Sequence, residues 1–343
     1  YTDLDFSNVT LTNANDGTPV RLGATPSNDK AKDLEPEYVT VSGDYAYVTL
    51  QENNAMAKVN LTTNAIEYVK SYGAKSYEST NTIDIQENGV IEMKNFKGLF
   101  GLYQPDSIAS YSANAKTYLV TANEGDGREY LEEIKADDQA TCEANAGYEW
   151  DDGDCIKESH NDEKKISKLD LDASIADAYV DDNDLKVMVD MGDSNKDGKY
   201  EKLYTYGARS FSIWDSDGNL VWDSGDMISK KVAQKQPDLF NQDEGEMDGR
   251  SGNKGAEPEA LTVGTIGTKT FAFVGLERQN AIMVVDITDP TNPVCKSYMS
   301  SEADGDISPE GMKFVPASES PNGKNLLLIA YEVSGSTVVY EVK

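Results

Sequence analysis

Short runs in which apolar residues alternate with polar ones, or in which β-branched residues predominate, recur along the chain, whereas helical periodicity is hard to find. Gly, Asn and Asp residues, which favour turns, bound these runs. The pattern predicts an all-β protein. The clearest strands are expected at residues 38–41, 45–50, 118–121, 211–214, 271–274, 282–285, 326–330 and 337–342.

A repeated unit with a fixed order of features underlies this strand pattern. Each copy opens with a proline and an acidic residue, enters a short strand, turns, runs through a second strand and closes with a glutamate. Proline suits the first position of a strand because it cannot donate to the ladder of hydrogen bonds. The copies open at Pro36-Glu37, Pro105-Asp106, Pro258-Glu259 and Pro309-Glu310, and they close at Glu52, Glu124, Glu277 and Glu332.

The unit favours a β-propeller over a β-sandwich. Units of about 40–50 residues with three or four strands are typical of propeller blades. Rotation about one axis also brings the equivalent acids of all blades together, which a sandwich would not require. The long interval between Asp106 and Glu259 has room for a further copy, and residues 208–214 with the hairpin turn at 215–219 are the best candidate. We therefore expect a single propeller domain over residues 1–343.

The opening acids would form one ring about the axis, and the closing acids would form another. Carboxylates crowded near an axis repel one another, so most of them must be protonated, paired with a base or bound to a cation. An all-oxygen site selects a hard cation, Ca²⁺ ahead of Mg²⁺. Alternatively, each acid accepts backbone N–H groups at a turn. The recurrence of both acids in every copy favours the axial cation or polar site.

The composition excludes several classes of partner and site. Asp and Glu number 61 against 31 Lys and Arg, and a chain with a net charge of −30 is repelled by nucleic acids and anionic membranes. The longest apolar run, 326–331, is far shorter than the roughly 18 residues of a membrane helix. We therefore expect no nucleic-acid partner and no membrane insertion. The single histidine, His160, excludes multi-histidine zinc sites.

Four of the five arginines fall in or beside the repeat loops. Arg128 and Arg278 follow the closing glutamates of the second and third copies, and Arg250 lies shortly before the third opening proline. Either these guanidinium groups neutralise the acids in ion pairs, or they hold a phosphoryl group beside the cation. The second alternative predicts hydrolysis of phosphate esters by metal-activated water. The catalytic candidates are then Glu259, Glu310, Arg128, Arg250 and Arg278.

A separate metal signal lies at residues 193–201. The segment matches the first half of an EF-hand loop, with Gly198 at the sharp turn. The twelfth position is Tyr204 instead of glutamate, so a helix–loop–helix site is not supported. The alternative is an Asn/Asp/Gly turn without a metal. The ligands would be Asp193, Asn195, Asp197, Glu201 and the carbonyl of Lys199.

Cys142 and Cys155 bracket a short acidic loop with no CxxC pair, which favours a local disulfide over two free thiols and implies an oxidising compartment. The acidic stretch around them, residues 132–165, has the character of an insertion. Cys295 is left over and is expected to be a buried, unreactive thiol.

Several runs resemble the bacterial choice-of-anchor I family. They lie at residues 33–39, 49–55, 101–109, 117–130, 275–278, 309–312 and 331–335. The resemblance implies a secreted or surface-attached β-propeller, some relatives of which are described as atypical alkaline phosphatases. The run Pro309-Glu310-Gly311-Met312 is also similar to calcium-dependent propeller phytases. We therefore expect either a calcium-dependent phosphomonoesterase or a non-catalytic surface or adhesion propeller with structural calcium, located outside the cell, at its surface or in the periplasm.

This chain departs from the family at its N-terminus, because only 32 residues precede the first matching run. We also count at most five blades, whereas the family resemblance implies seven. We therefore expect an incomplete or processed propeller. An N-terminal segment or a partner chain would cover the exposed blade edge, or residues 9–11 would supply the outer strand of the last blade.

Overall fold

The computed structural model describes residues 2–23, 30–136, 138–151, 154–181 and 184–343, and it describes the backbone alone at 129–133, 151 and 158–160. Over this part of the chain the protein is mostly β, and every predicted strand is present. None of the helices found there is long and apolar enough to cross a membrane. The side chain of His160 and residues 137, 152 and 153 of the predicted insertion lie outside the described residues.

The N-terminal part of the chain forms the first sheet. Its elements are β1 (Leu11–Thr12), α1 (Lys30–Asp33), β2 (Val39–Ser42), β3 (Tyr45–Leu50), β4 (Ala55–Asn60) and β5 (Ala65–Ser71). The strands follow the order β1-β5-β4-β3-β2, and β1 is parallel to β5, where Leu11 pairs with Val69. The N-terminal strand thus extends the first sheet. The prediction that residues 9–11 complete the last blade is wrong.

The second sheet is formed by two segments that are far apart in the chain. Residues 124–209, which we call the excursion, lie between them. After β6 (Ala74–Ser76) and β7 (Leu99–Leu102), the first half of this sheet is formed by β8 (Ile108–Ala113) and β9 (Lys116–Asn123). The excursion then contains β10 (Glu129–Ile134), α2 (Gln139–Glu143), β11 (Glu149–Asp151), β12 (Asp154–Asn161), β13 (Glu163–Lys165), β14 (Lys186–Met188) and β15 (Leu203–Thr205). The chain returns through β16 (Ser210–Asp215), which pairs with β9, and β17 (Leu220–Asp223), which pairs with β16. The prediction of a separate copy at 208–214 is therefore wrong, because this segment supplies the third strand of the second unit.

The excursion, residues 124–209, is organised by small sheets and a disulfide. Strands β10, β12 and β11 form a sheet in that order, β13 pairs with β14, and β15 pairs in parallel with β7. Cys142 of α2 and Cys155 of β12 form the predicted disulfide, with Cα atoms 5.4 Å apart. The acidic stretch predicted as an insertion, 132–165, lies inside this excursion.

The C-terminal part of the chain forms the third and fourth sheets. The elements are α3 (Met227–Lys235), β18 (Pro258–Ile266), β19 (Lys269–Leu276), β20 (Ala281–Asp286), β21 (Val294–Ser300), β22 (Pro309–Val315), β23 (Asn325–Tyr331) and β24 (Ser336–Val342). The strands of each sheet follow one another in chain order. Ile228 and Val232 of α3 join the apolar core shared by the second and third sheets. Cys295 lies on β21 and is half-buried, not fully buried as predicted, and burial raises the pKa of its thiol.

The first strands of the four repeat units lie close together. Strand β8 contacts both β2 and β18, and β18 contacts β22. These strands line one cavity of about 420 Å³. An antiparallel second strand follows each of them, namely β3, β9, β19 and β23. The opening acid and the closing acid of each unit therefore lie at the same end of the strands.

Asparagine side chains connect successive units at this end. Asn54, after β3, accepts the backbone N–H of Gln104 at 2.9 Å, and Asn280, after β19, accepts that of Ser308 at 2.9 Å. Gln104 and Ser308 each precede the proline that opens the next unit. Both asparagines are buried, with left-handed φ angles of 52° and 46° that asparagine tolerates better than most residues. The turn after one second strand thus fixes where the next first strand begins.

Replacing Asn54 or Asn280 with glycine keeps the left-handed turn but leaves the buried N–H of the next unit without its acceptor. We expect each substitution to lower the free energy of unfolding by about 1–3 kcal/mol. Asn114 is a matched control because it is an exposed asparagine in the β8–β9 turn with a φ of 51°. Its replacement by glycine should change stability by less than about 0.5 kcal/mol. Urea denaturation measures the difference, and equal losses at all three positions would contradict the role in linking units.

Candidate functional site

Strand register brings the opening and closing acids of a unit together. In the third sheet Pro258 pairs with Leu276, which directly precedes Glu277. In the first unit the N–H of Glu37 donates to the carbonyl of Thr49 at 3.1 Å. Proline can occupy the entry to the strand because no ladder hydrogen bond requires its nitrogen there. The two acids of each copy therefore project from neighbouring strands at one end of the sheet.

Among the described residues, several that precede an opening proline have a left-handed backbone: Gln104 (φ 39°), Glu257 (φ 50°) and Ser308 (φ 61°). A residue before proline prefers an extended conformation, and a left-handed angle costs a residue other than glycine about 1–3 kcal/mol. Ser308 Oγ reaches Glu277 Oε1 at 3.3 Å, and Gln104 Oε1 accepts the N–H of Gly207 at 3.1 Å. The recurrence of this strained turn marks this end of the strands as the candidate site.

Acids from several units form one group at this end, which we call the carboxylate cluster. Its members are Glu37, Glu52, Asp106, Glu124, Glu259, Glu277 and Glu310. Glu124, Glu259 and Glu277 each place a carboxylate oxygen within 4.8 Å of the other two. Opening and closing acids therefore mix in one cluster instead of forming two separate rings. Glu332 is exposed and lies beside Glu310 at the edge of the cluster.

Burial and mutual repulsion raise the pKa values of the cluster. Burial, together with the charges of Glu124 and Glu277, raises the pKa of Glu259 to about 11. Burial raises the pKa of Asp106 to about 8, and the charge of Glu124 adds to this effect. Burial and neighbouring negative charges likewise raise the pKa of Glu52 to about 8 and those of Glu37 and Glu277 to about 7. Without a cation, the cluster therefore retains protons at neutral pH.

Several carboxylate oxygens of the cluster are buried and have no hydrogen-bond partner within the described residues, namely Glu52 Oε2, Asp106 Oδ2 and Glu259 Oε2. Glu52 and Asp106 are only 8% and 7% exposed. A buried charge without a partner is costly, so each of these oxygens needs a proton or a positive charge. Clustered carboxylate oxygens are the ligands that Ca²⁺ prefers, and Mg²⁺ accepts with stricter geometry. The residues present therefore fit the hard cation that the repeat predicts.

Basic side chains border the cluster at Glu257, a residue that the repeat does not single out. Arg250 Nη2 and Arg278 Nε lie 2.5 and 3.2 Å from its carboxylate. Lys254 Nζ lies 3.7 Å from the same carboxylate and 2.6 Å from that of Glu124. Burial raises the pKa of Glu257, but these bases outweigh burial and lower it. Arg250 and Arg278 thus neutralise an acid, as in the first alternative for the predicted arginines.

Arg128 is held by a different part of the chain. Its Nη2 donates to the carbonyl of Asp33 at 3.1 Å, and its Nη1 lies 3.5 Å from the Asp33 carboxylate. The residue is 2% exposed. Arg128 therefore anchors the segment that precedes β2, whereas Arg250 and Arg278 are anchored by Glu257.

The loop at 193–201 brings its predicted ligands together at the surface. Asp193, Asp197 and Glu201 place carboxylate oxygens within 4.8 Å of one another. The same oxygens accept N–H groups of the loop, such as that of Gly198 to Asp193 Oδ2 at 2.9 Å. Asn195 Oδ1 likewise accepts the N–H of Asp197 at 2.8 Å. The loop thus has the hydrogen bonds of an Asx turn and a spacing compatible with a shared cation, so both predicted alternatives stay open.

These features define a mostly β, disulfide-bonded protein in which the repeat units converge on a buried carboxylate cluster. The family model of the choice-of-anchor I domain matches residues 1–290. The chain belongs to this family, which confirms the resemblance seen in its sequence.

Two curated relatives extend the comparison. Gigasin-3a of Magallana gigas is 32% identical over 171 residues, which cover 43% of this chain and 60% of that protein. The mesenchyme-specific cell surface glycoprotein of Strongylocentrotus purpuratus is 27% identical over 311 residues, which cover 84% of this chain and 39% of that protein. The chain thus spans less than two thirds of the length of either relative.

Among solved structures, the β-propeller domain of Cps50 (Swd1) from Myceliophteria thermophila is 8% identical. The match covers 100% of this chain and 99% of that chain, with a TM-score of 0.23. This likeness is too distant to bear on how the sheets are arranged.

The raised pKa values predict how stability depends on pH when a chelator removes cations. Between about pH 4.5 and 8 the folded cluster keeps protons that the unfolded chain has released, so the free energy of unfolding should fall as the pH rises. Glu52→Gln should reduce this fall because it removes one of the retained protons. The exposed Glu67 on β5 is the control position for Glu→Gln. Melting temperatures that rise from pH 5 to 8 in chelator, or equal effects of both substitutions, would contradict the protonated cluster.

Proposed function

We propose that this protein is an extracellular β-propeller that binds a divalent cation in the carboxylate cluster, Ca²⁺ in preference to Mg²⁺. The observation that carries the proposal is the close approach of Glu124, Glu259 and Glu277, next to buried carboxylate oxygens that have no partner among the described residues. Those three side chains would hold the cation, and Asp106, which also acts on the pKa of Glu259, would add an oxygen ligand. The cation would act structurally, since it offsets the repulsion between acids from different units.

The propeller arrangement is supported by the order of strands in the repeat units. Strands β2, β8, β18 and β22 each form the inner edge of an antiparallel repeat unit and line the same cavity, as the inner strands of propeller blades do. We propose that the complete ring of the family has seven blades. A further segment or a partner chain would then complete the ring beside the blades formed here and cover their exposed edges.

The location outside the cell is supported by two observations. The disulfide between Cys142 and Cys155 is typical of proteins in oxidising compartments. The relative from Strongylocentrotus purpuratus is named as a cell surface glycoprotein. A secreted or surface-attached propeller with structural calcium would serve adhesion or assembly at the surface, where a net charge of −30 also favours solubility.

Calcium binding in the cluster predicts that one substitution stabilises the cation-free protein and at the same time weakens its binding of calcium. Adding Ca²⁺ to chelator-treated protein should raise the melting temperature, because a ligand of the folded state alone stabilises that state. Cation-free Glu259 must take up a proton when the chain folds at neutral pH, which costs stability, and Glu259→Gln removes that cost, so the cation-free variant should melt at a higher temperature than the cation-free wild type. The variant should nevertheless bind Ca²⁺ at least about tenfold more weakly and gain less from it. Calorimetric titration and thermal melting measure both quantities.

Asp197→Asn provides the matched variant for the surface loop at 193–201. It should leave calcium binding by the cluster intact. If Asp197→Asn alone abolishes the gain in melting temperature, the calcium belongs to the loop and the proposal for the cluster fails. Unchanged calcium affinity in Glu259→Gln would also contradict the proposal that the cluster binds calcium.

A second candidate function, a calcium-dependent phosphomonoesterase, is favoured by a cavity beside the cluster. This cavity of about 410 Å³ is lined by Glu277, Arg278 and Ser308, and the Arg278 side chain is 30% exposed. A bound cation would lower the pKa of a water molecule and offset the charge of a phosphate ester. Glu259 and Glu310 would orient the cation, and Arg278 would hold the phosphate. Of the other predicted arginines, Arg128 and Arg250 do not line this cavity, so neither has a role in this function.

If this second function holds, the protein with Ca²⁺ should hydrolyse p-nitrophenyl phosphate. Arg278→Met should lower kcat/KM by about 100-fold, since it removes a charged donor from the phosphate site. Lys269→Met, which removes a surface charge at the far end of β19, should leave it unchanged. A protein that binds Ca²⁺ but releases no p-nitrophenol would contradict the enzyme and leave the structural role standing.

A further inference from the structure

The outer strand of the fourth sheet is open on one side. Strand β24 is the last of three strands, in the order β22-β23-β24, and no other described strand pairs with its second edge. The sheets of the first, second and third units have five, four and four strands. An open edge presents a row of unpaired N–H and C=O groups, to which a further strand can bind. The fourth sheet therefore has room for one more strand at β24.

Strand β24 lacks the features that protect the other outer strands. In the first sheet the outer strand is β1, which has only two residues, and β17 of the second sheet has only four. The pairing of β21 with β20 contains an irregularity between Val284 and Val285, and a bulge of this kind twists an edge away from other strands. The pairing of β24 with β23 is regular over all seven residues, Ser336–Val342, and the strand contains no proline. Of these outer strands, β24 is thus the best suited to pair with another chain.

Apolar side chains lie on both faces of β24 near its middle. Val339 is 55% exposed and lies beside Leu328 of β23. On the opposite face, Val338 and Tyr340 pack at the border of the apolar core shared by the third and fourth sheets. A strand beside β24 would bury more of the side chains on both faces, which favours pairing.

The charges along this edge do not repel a second copy of the chain. Glu341 is the only charged residue of β24. Its carboxylate lies 2.7 Å from Lys324 Nζ and 3.4 Å from Lys343 Nζ. The edge therefore has no excess of negative charge, although the net charge of the whole chain is −30.

We propose that two copies of this chain associate through their β24 strands, which pair antiparallel about a twofold axis at Val339. In this register all seven residues of the strand are paired, and Val339 faces the same residue of the second copy. Val338 faces Tyr340, an apolar–aromatic pair of the kind that stabilises sheets. Glu341 faces Thr337, so no like charges lie opposite each other. The two fourth sheets would form one continuous sheet, with three strands from each copy.

This pairing goes beyond the proposed function and does not depend on it. Strand β24 lies on the opposite side of β23 from β22, the strand that carries Glu310 and lines the cavity between the units. A blade that completes the ring would pack against the face of the fourth sheet, so the outer edge would stay open. The dimer should therefore form equally well in chelator and with Ca²⁺.

Sedimentation velocity of the full chain should show a monomer–dimer equilibrium. The equilibrium should shift to the dimer as the salt concentration rises, because salt screens the repulsion between two chains of charge −30. Val339→Lys places like charges opposite each other at the twofold axis and should weaken association at least about tenfold. Val294→Lys is the matched control, because Val294 is also an exposed valine, 44% exposed, on the outer strand β21. It should leave the dimer intact, and thermal melting shows whether both variants fold.

Cross-linking tests the register. In a Cys295→Ser background, Val339→Cys should form a disulfide between two copies, since residues opposite each other in antiparallel strands have Cα atoms about 4.5–5.5 Å apart. Glu341→Cys should not form one, because the two cysteines would lie about 13 Å apart along the strands.

A monomer at every protein and salt concentration would overturn the proposal and leave the edge to a further segment of the proposed ring. A dimer that Val339→Lys leaves intact, or that Val339→Lys and Val294→Lys weaken equally, would overturn it as well, because the interface would then lie elsewhere. Cross-linking through Glu341→Cys instead of Val339→Cys would contradict the twofold axis at Val339. If the dimer forms in chelator but the cluster takes no calcium, only the proposed cation site fails.

Discussion

Repulsion between carboxylates at one end of the strands is the constraint on which the rest of the site depends. Strand register places Glu124, Glu259 and Glu277 close together, although each is more stable apart and in water. The strand pairing that builds the sheets therefore keeps the acids close together despite the repulsion between their charges. At Glu257 basic side chains offset the cost of bringing the acids together. At other acids, such as Glu259, retained protons offset it. A cation would replace those protons with one compact charge.

Lys254 connects the carboxylate cluster to the bases beside it. Its Nζ lies 2.6 Å from the carboxylate of Glu124 and 3.7 Å from that of Glu257, which Arg250 and Arg278 also contact. A cation among the carboxylates would compete with Lys254 for Glu124 and would weaken the attraction between these two side chains. Lys254 would then pair chiefly with Glu257.

The sequence predicts the strands and the residue types of the site because both follow a local repeat. Alternation identifies β3 and β19, and the Pro-acid opening identifies Glu259 and Glu310. Glu257 is missed because its position before the proline carries Glu35, Gln104 and Ser308 in the other copies, so the repeat contains no signal there. The place of residues 208–214 is missed for another reason. Which strand β16 joins depends on a pairing across the whole excursion, and local pattern carries no information on such a distant partner.

The split second sheet has a consequence for how the protein folds. Strand β9 cannot pair with β16 until the chain has returned through residues 124–209, which lie between the two strands. This pairing therefore closes a far larger loop than any hairpin in the other sheets. The disulfide between Cys142 and Cys155 shortens the excursion internally but does not tie its two ends together. Until β16 pairs with it, one edge of β9 is exposed and can form hydrogen bonds with other strands. The second unit is therefore the part of the chain where folding is slowest and where wrong strand pairing would begin.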